Sequence, residues 1–103
     1  MIEGRPNVGW VERCKPGDAI RFNITGKGPH LCVRVRKVTR FEKGEDAWMR
    51  LVRSCGVTAA LPDLSPDDED YAVALYRSFE TTSGTYYDLE QSHGVAAIEV
   101  ESI

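Results

Sequence analysis

The stretch "LCVRVRKVTRF", residues 31–41, decides how the rest of the chain folds. Val33 and Val35 fall on one face of an extended segment and Arg34 and Arg36 on the other, the period-two alternation of a strand with one face buried. Val38 is out of phase with Val35. One extra residue near Arg36-Lys37 restores the pattern, so the spacing predicts a β-bulge there, with the added twist that the corners of small barrels require. Arg34, Arg36, Lys37 and Arg40 also make this the most basic strand in the chain, and both a solvated outer face and contact with a ligand are open readings of that charge.

The strand has partners on both sides in the sequence. Upstream, "KPGDAIRFNI" (15–24) begins with a turn at Pro16-Gly17 and continues with Ile20, Phe22 and Ile24 alternating against Arg21 and Asn23. The glycine-rich "TGKGPH" (25–30) between them reads as a hairpin loop, because it lacks the strand-then-helix setting of a phosphate-cradling loop. At the far end, "VAAIEVESI" (95–103) alternates Ile98 and Val100 against Glu99 and Glu101 and reads as a closing strand.

Two helices lie in between. "GEDAWMRLVRSC" (44–55) places Ala47, Trp48, Leu51, Val52 and Cys55 at helical spacing, with Gly56 to close it; Trp48 is expected in the core. "SPDDEDYAVALYRSF" (65–79) predicts a helix over 66–79, with Ser65 as N-cap, Pro66 first, acids in the opening turn, and a buried stripe of Ala72, Leu75, Tyr76 and Phe79. "GTYYDLEQSHG" (84–94) suits one helical turn or an extended start. The order strand, strand, helix, helix, strand, with an end strand that must pair with earlier ones, points to an α+β fold: a small mixed β-barrel, partly closed, with two main helices on its rim.

A chain of 103 residues is expected to form one domain, 1–103. Its 42% hydrophobic and 28% charged residues exclude a disordered or fibrous class. No stretch is apolar for the roughly 18 residues a membrane span needs, and no charged-then-apolar leader is present, so a soluble cytoplasmic or nuclear protein is expected, with no membrane partner. Cys14, Cys32 and Cys55 lack the spacing of a zinc or redox motif and read as buried or half-buried free thiols. His30 and His93 are isolated; neither is assigned a metal, and no cofactor is expected.

The net charge of −3 conceals a division. Residues 1–55 carry twelve Lys/Arg and six Asp/Glu, a balance of +6, whereas residues 56–103 carry Arg77 alone against ten acids, a balance of −9. Nearly all positive surface comes from one half, as a face meeting phosphate requires, although mutual neutralisation within one small fold explains it equally well.

The opening "MIEGRPNVGW" (1–10) adds a specific signal. Its Glu3-x-Arg5 matches the second half of G-x-K-x-x-E-x-R, the N-terminal signature of the ASCH domain, a family of the PUA-like superfamily of small β-barrels. "CKPGDAIRF", "VRVRKVTRFEKGEDAW", "YAVALYRSF" and "HGVAAIEVESI" resemble the family's later strands and helices in the right order, over essentially the whole chain. The signature lysine falls one place upstream of Met1, so the motif reads as truncated or naturally short. An unstructured chain end is the competing reading of the same ten residues.

The resemblance implies an RNA-binding or RNA-modifying role, with single-stranded RNA or a nucleoside in a basic cleft beside the barrel. Glu3, Arg5, Arg34, Arg36 and Arg40 are the candidate ligand-binding residues: the arginines for phosphates or base stacking, Glu3 to orient Arg5 or accept from a base edge. With a sequence pI near 5.3, binding is expected to be local rather than spread over the surface. Some relatives are similar to amidohydrolases acting on acylated cytidine, or to ribonucleases, through the signature lysine; without it no catalysis is expected of this chain, and no catalytic residue is assigned. A third class is a protein-interaction domain that offers its acidic second half to a basic partner.

Overall fold

The bulge is present where the valine spacing calls for it. In the computed structural model, which describes residues 1–23, 30–44 and 46–103, Val35 pairs with Val100 and Lys37 with Glu99, leaving Arg36 as the extra residue. Val38 thereby returns to phase opposite Ile98. The elements in chain order are β1 (Ile2–Pro6), α1 (Trp10–Arg13), β2 (Ala19–Asn23), β3 (His30–Phe41), α2 (Ala47–Cys55), α3 (Val57–Ala60), α4 (Glu69–Ser78), a small hairpin of β4 (Glu80–Thr81) and β5 (Gly84–Thr85), α5 (Tyr86–His93) and β6 (Val95–Ser102). The loop expected at 25–30, and Ile24, fall mainly on 24–29, outside the described residues.

The main sheet runs β1-β6-β3-β2, and each described pairing is antiparallel. This is an α+β fold around a curled half-barrel sheet, not the mixed sheet expected from sequence. The curl is visible in one contact. In a flat sheet β1 and β2, at opposite edges, stand three strand spacings or about 14 Å apart. Yet the guanidinium of Arg5 on β1 lies 5.8 Å from the centre of the Phe22 ring on β2.

The two faces of the sheet build two cores. On the concave face Val33, Val35, Ala96, Ile98 and Val100 pack with Val11 and Cys14, with Ile20, Phe22 and Val38 at the margin. On the convex face Val95 and Ala97 meet Trp48, Leu51 and Val52 of α2 and Tyr76 of α4, so the main helices cover that face rather than sit on a rim. β6, buried from Val95 to Ile98, serves both cores, and its Ala96 and Ala97 allow close approach on each side.

Three sequence expectations are corrected. The order strand, strand, helix, helix, strand lacks the first strand: Ile2–Pro6 pairs along the free side of β6, from Ile2↔Glu99 to Pro6↔Val95, which also sets aside the competing reading of residues 1–10 as a loose end. α4 begins at Glu69, because the Ser65 and Asp68 signals form a turn before it, with Ser65 N–H donating to Asp68 Oδ2 at 3.2 Å and Asp68 N–H to the Ser65 carbonyl at 3.0 Å. Its buried side is Ala72, Val73 and Tyr76; Leu75 is half-buried and Phe79, past the helix end, is exposed. Of the three free thiols, Cys14 is buried and Cys55 half-buried as expected, but Cys32 is exposed.

Candidate functional site

Glu3 and Arg5, two apart on β1, project to the same side of the sheet. Their cross-strand partners Ile98 and Ala96 belong to the concave core, so both side chains reach into the mouth of the half-barrel. Arg5 Nε donates to Glu3 Oε1 at 3.1 Å, and both side chains remain about one-third exposed, at 33% and 32%. The guanidinium lies over Trp10 at 5.5 Å from the ring centre and over Phe22 at 5.8 Å. Glu3 therefore fixes the plane of the guanidinium while its Nη groups carry no other hydrogen bond among the described residues. An arginine held in this way offers two parallel donors to a carboxylate, a phosphate or the acceptor edge of a base.

Around it is open space. A cavity of about 390 Å³ is lined by Arg5, Trp10, Phe22, Ile20, Ala19 and Arg21. On the other side of Trp10, a smaller one of about 230 Å³ runs toward Tyr86, Thr81 and Ser83. Burial pushes the Tyr86 phenol up from its ordinary pKa, with the Glu3 carboxylate adding to the rise and Arg5 opposing it, so Tyr86 faces the cleft as a neutral group.

Trp10 stands where it does because Arg40 holds α1. A four-residue helix cannot sustain itself. Arg40 Nη2 donates to the carbonyls of Val11, Glu12 and Cys14 at 2.9, 3.2 and 2.8 Å, satisfying the orphan acceptors of the helix end, and its Nε donates to Asn7 Oδ1 at 3.3 Å.

The five candidate residues do not converge. Glu3 and Arg5 share the cleft; Arg40 lies on the same side of the sheet, but its Nη2 is committed to the backbone of α1 and its Nε to Asn7. Arg34, opposite Glu101 and Ala19, projects from the convex side, and Arg36, the bulge residue, pairs with Glu101 at 3.7 Å. The sheet itself therefore stands between those two arginines and the cleft. Trp10 and Phe22 were not singled out as site residues by sequence reading. The available signal was a tryptophan directly after the aperiodic segment Pro6-Asn7-Val8-Gly9, where no core stripe calls for one; Trp10 is 40% exposed, in contrast to the fully buried Trp48.

Among the described residues the cleft shows no activated nucleophile. Cys14 borders it, and burial, reinforced by Asp18, raises its thiol above the ordinary pKa, keeping it protonated. No cluster of His, Cys, Asp and Glu among the described residues is placed to hold a metal ion, and no described helix is long and apolar enough to cross a membrane.

No family model and no curated protein matches the chain. Among solved structures it is similar to the crystal structure of hypothetical protein PH0355, with a TM-score of 0.76 and 29% identity, over 99% of this chain and 81% of that one. The two proteins share the α+β half-barrel fold across essentially the full length of this chain.

Proposed function

We propose that this chain is a PUA-like module of ASCH type that binds a nucleoside or single-stranded RNA in the concave cleft, without catalysing a reaction on it. The observation that carries the reading is the Glu3-oriented guanidinium of Arg5 lying over Trp10 and Phe22 in an open cavity. Exposed aromatic rings give a sequence-tolerant platform for bases, and a guanidinium with free Nη donors reads acceptor edges or phosphates. Binding without turnover is favoured because Glu3 is engaged by Arg5 and no lysine lines the cavities at Arg5 and Trp10 among the described residues.

The test is a fluorescence-polarisation titration with a short labelled single-stranded RNA at low salt. Arg5→Ala removes the central donor and is expected to weaken binding about 30-fold, the effect of losing an anchor worth roughly 2 kcal/mol. Replacing Arg34 and Arg36 together by Ser is expected to change affinity less than about twofold, because exposed contacts away from an interface contribute little. Loss of binding in the double variant with retention in Arg5→Ala would move the interface to the convex face and overturn the assignment.

A further inference from the structure

The cavity at Arg5 does not end at Trp10. A second space of about 310 Å³ shares Trp10, Ala19 and Ile20 with it and extends between α1 and β2 to Arg13 and Asp18. The two form one trough along the free edge of β2. Resting on the binding function proposed above, we propose that this extension is a phosphate subsite: Arg13 and Arg21 take a phosphate of the nucleotide whose base lies on Trp10.

The electrostatics of the trough favour an anion. Arg13 and Arg21 are both exposed, and neither has a side-chain hydrogen bond or ion pair among the described residues. Arg13 borders the second space, and Arg21, in phase with Arg34 on the convex side, borders the first because β2 is the free edge of the sheet and no further strand stands between it and the trough. The one acid lining the extension is Asp18, and it is already occupied, accepting from Lys15 N–H at 3.0 Å and facing Lys15 Nζ at 3.4 Å. The carbonyl end of α1, which would repel an anion, is covered by the guanidinium of Arg40.

The strand edge adds neutral donors. Val35 N–H donates to the Asp18 carbonyl at 2.8 Å, and antiparallel alternation from that bond turns the N–H groups of Ala19 and Arg21 away from β3, toward the open edge. A phosphate in the trough thus meets two guanidinium groups and main-chain N–H groups, the combination that positions phosphates elsewhere. The ligand this describes is a phosphorylated nucleoside, free or as the end of an RNA strand, rather than a bare nucleoside.

Trp10 supplies the readout, since base stacking on an exposed indole quenches its fluorescence while fully buried Trp48 is unaffected; Trp10→Phe provides the control. The whole chain is titrated with the four ribonucleosides, their 3′- and 5′-monophosphates, inorganic phosphate and a trinucleotide. At least one monophosphate is expected to bind about tenfold more tightly than its nucleoside, the gain from charge-assisted hydrogen bonds. That ratio is expected to fall to within about twofold of unity in the Arg13→Ser/Arg21→Ser variant and to persist in Arg34→Ser. A trinucleotide that binds more tightly than every monophosphate identifies the strand as the source of the phosphate; equal affinities identify the free nucleotide. Nucleosides that quench Trp10 with no gain from a phosphate, or a gain that survives loss of Arg13 and Arg21, would overturn the subsite and leave the binding function standing. No quenching by any nucleoside, nucleotide or trinucleotide would overturn both.

Discussion

Replacing Glu90 by alanine is expected to cost about 3–5 kcal/mol of folding stability, most of what a domain with roughly 5–15 kcal/mol in total can spare. Glu90 is fully buried, and both carboxylate oxygens are in use. Oε1 accepts from Arg77 Nε at 2.9 Å; Oε2 accepts from Arg77 Nη2 at 3.1 Å and from the backbone N–H of Trp48 at 2.8 Å. One side chain of α5 therefore caps the first turn of α2, whose own N-cap residue Asp46 makes no side-chain cap, and clamps α4 through its arginine. Truncation leaves the buried N–H of Trp48 without its acceptor and the half-buried guanidinium of Arg77 with Asp46 as its one remaining carboxylate among the described residues, and the desolvation of both groups has to be borne by the folded state. Urea unfolding followed by circular dichroism measures the loss. Arg77→Ala is expected to be similarly costly, whereas Glu90→Leu combined with Arg77→Met should recover much of it, because an apolar pair leaves no uncompensated charge. A loss below about 0.5 kcal/mol for Glu90→Ala, within the range of an ordinary surface substitution, would show that the pair does not hold the helices together.

That ion pair also accounts for the lone base of the second half of the chain. Arg77 stands against ten acids in residues 56–103, yet it is spent on Glu90 and Asp46 inside the fold rather than on a ligand. A count of charges finds the asymmetry; which charges face one another depends on packing between elements distant in sequence. The concave and convex faces teach the same lesson. Reading Val33, Val35 and Val38 as one face with a bulge was correct, and followed one step further it places Arg40, two residues after Val38, on the core side, opposite in phase to Arg34. A bulge flips the parity of every residue beyond it, so four basic residues on one strand do not make one basic surface.

What stayed hidden in the sequence has identifiable physical causes. β1 is five residues long and contains Gly4 and Pro6, and its partner lies near the other end of the chain, so no local pattern announces it. α1 and α3 have four residues each, shorter than one hydrophobic period can reveal. α5 is a full eight-residue helix where the sequence suggests one helical turn or an extended start; its signal is the capping box Thr85-Tyr86-Tyr87-Asp88, with Asp88 N–H donating to Thr85 Oγ1 at 3.1 Å and Thr85 N–H to Asp88 Oδ2 at 3.4 Å. The start of α4 failed for the opposite reason, because Ser65-Pro66 carries start chemistry that the chain uses for a turn. The pair Glu3-x-Arg5 was readable as a motif, but its aromatic neighbours come from α1 and β2, and only the curl of the sheet brings them together.

Gly94→Ala is the second large effect to expect. Gly94 ends α5 at φ 77°, accepts the N–H of Asn7 at 3.0 Å and donates to the Glu90 carbonyl at 3.1 Å. A Cβ built there falls on the carbonyl oxygen of Phe41, with Lys43 N at 2.9 Å and Glu42 C at 3.0 Å. These are backbone atoms at the end of β3, so no rotamer change relieves the clash. Overpacking of about 1–3 kcal/mol and left-handed strain of about 1–2 kcal/mol act together, giving an expected loss near 3 kcal/mol or more. Gly17→Ala is the matched control: its φ is 96° but nothing lies within 4 Å of the added atom, so only the strain remains. The two variants should therefore separate in urea midpoint by the steric part alone. Gly94 also holds Asn7, which Arg40 grips from the other side, and this places the turn that carries Trp10. Displacement at Gly94 is expected to reach the cleft as a change in Trp10 emission under folded conditions, a change that Gly17→Ala should not produce. Equal stability losses with unchanged emission in both variants would mean that β3 yields at Phe41 without strain, and that the cleft is positioned independently of this crossing.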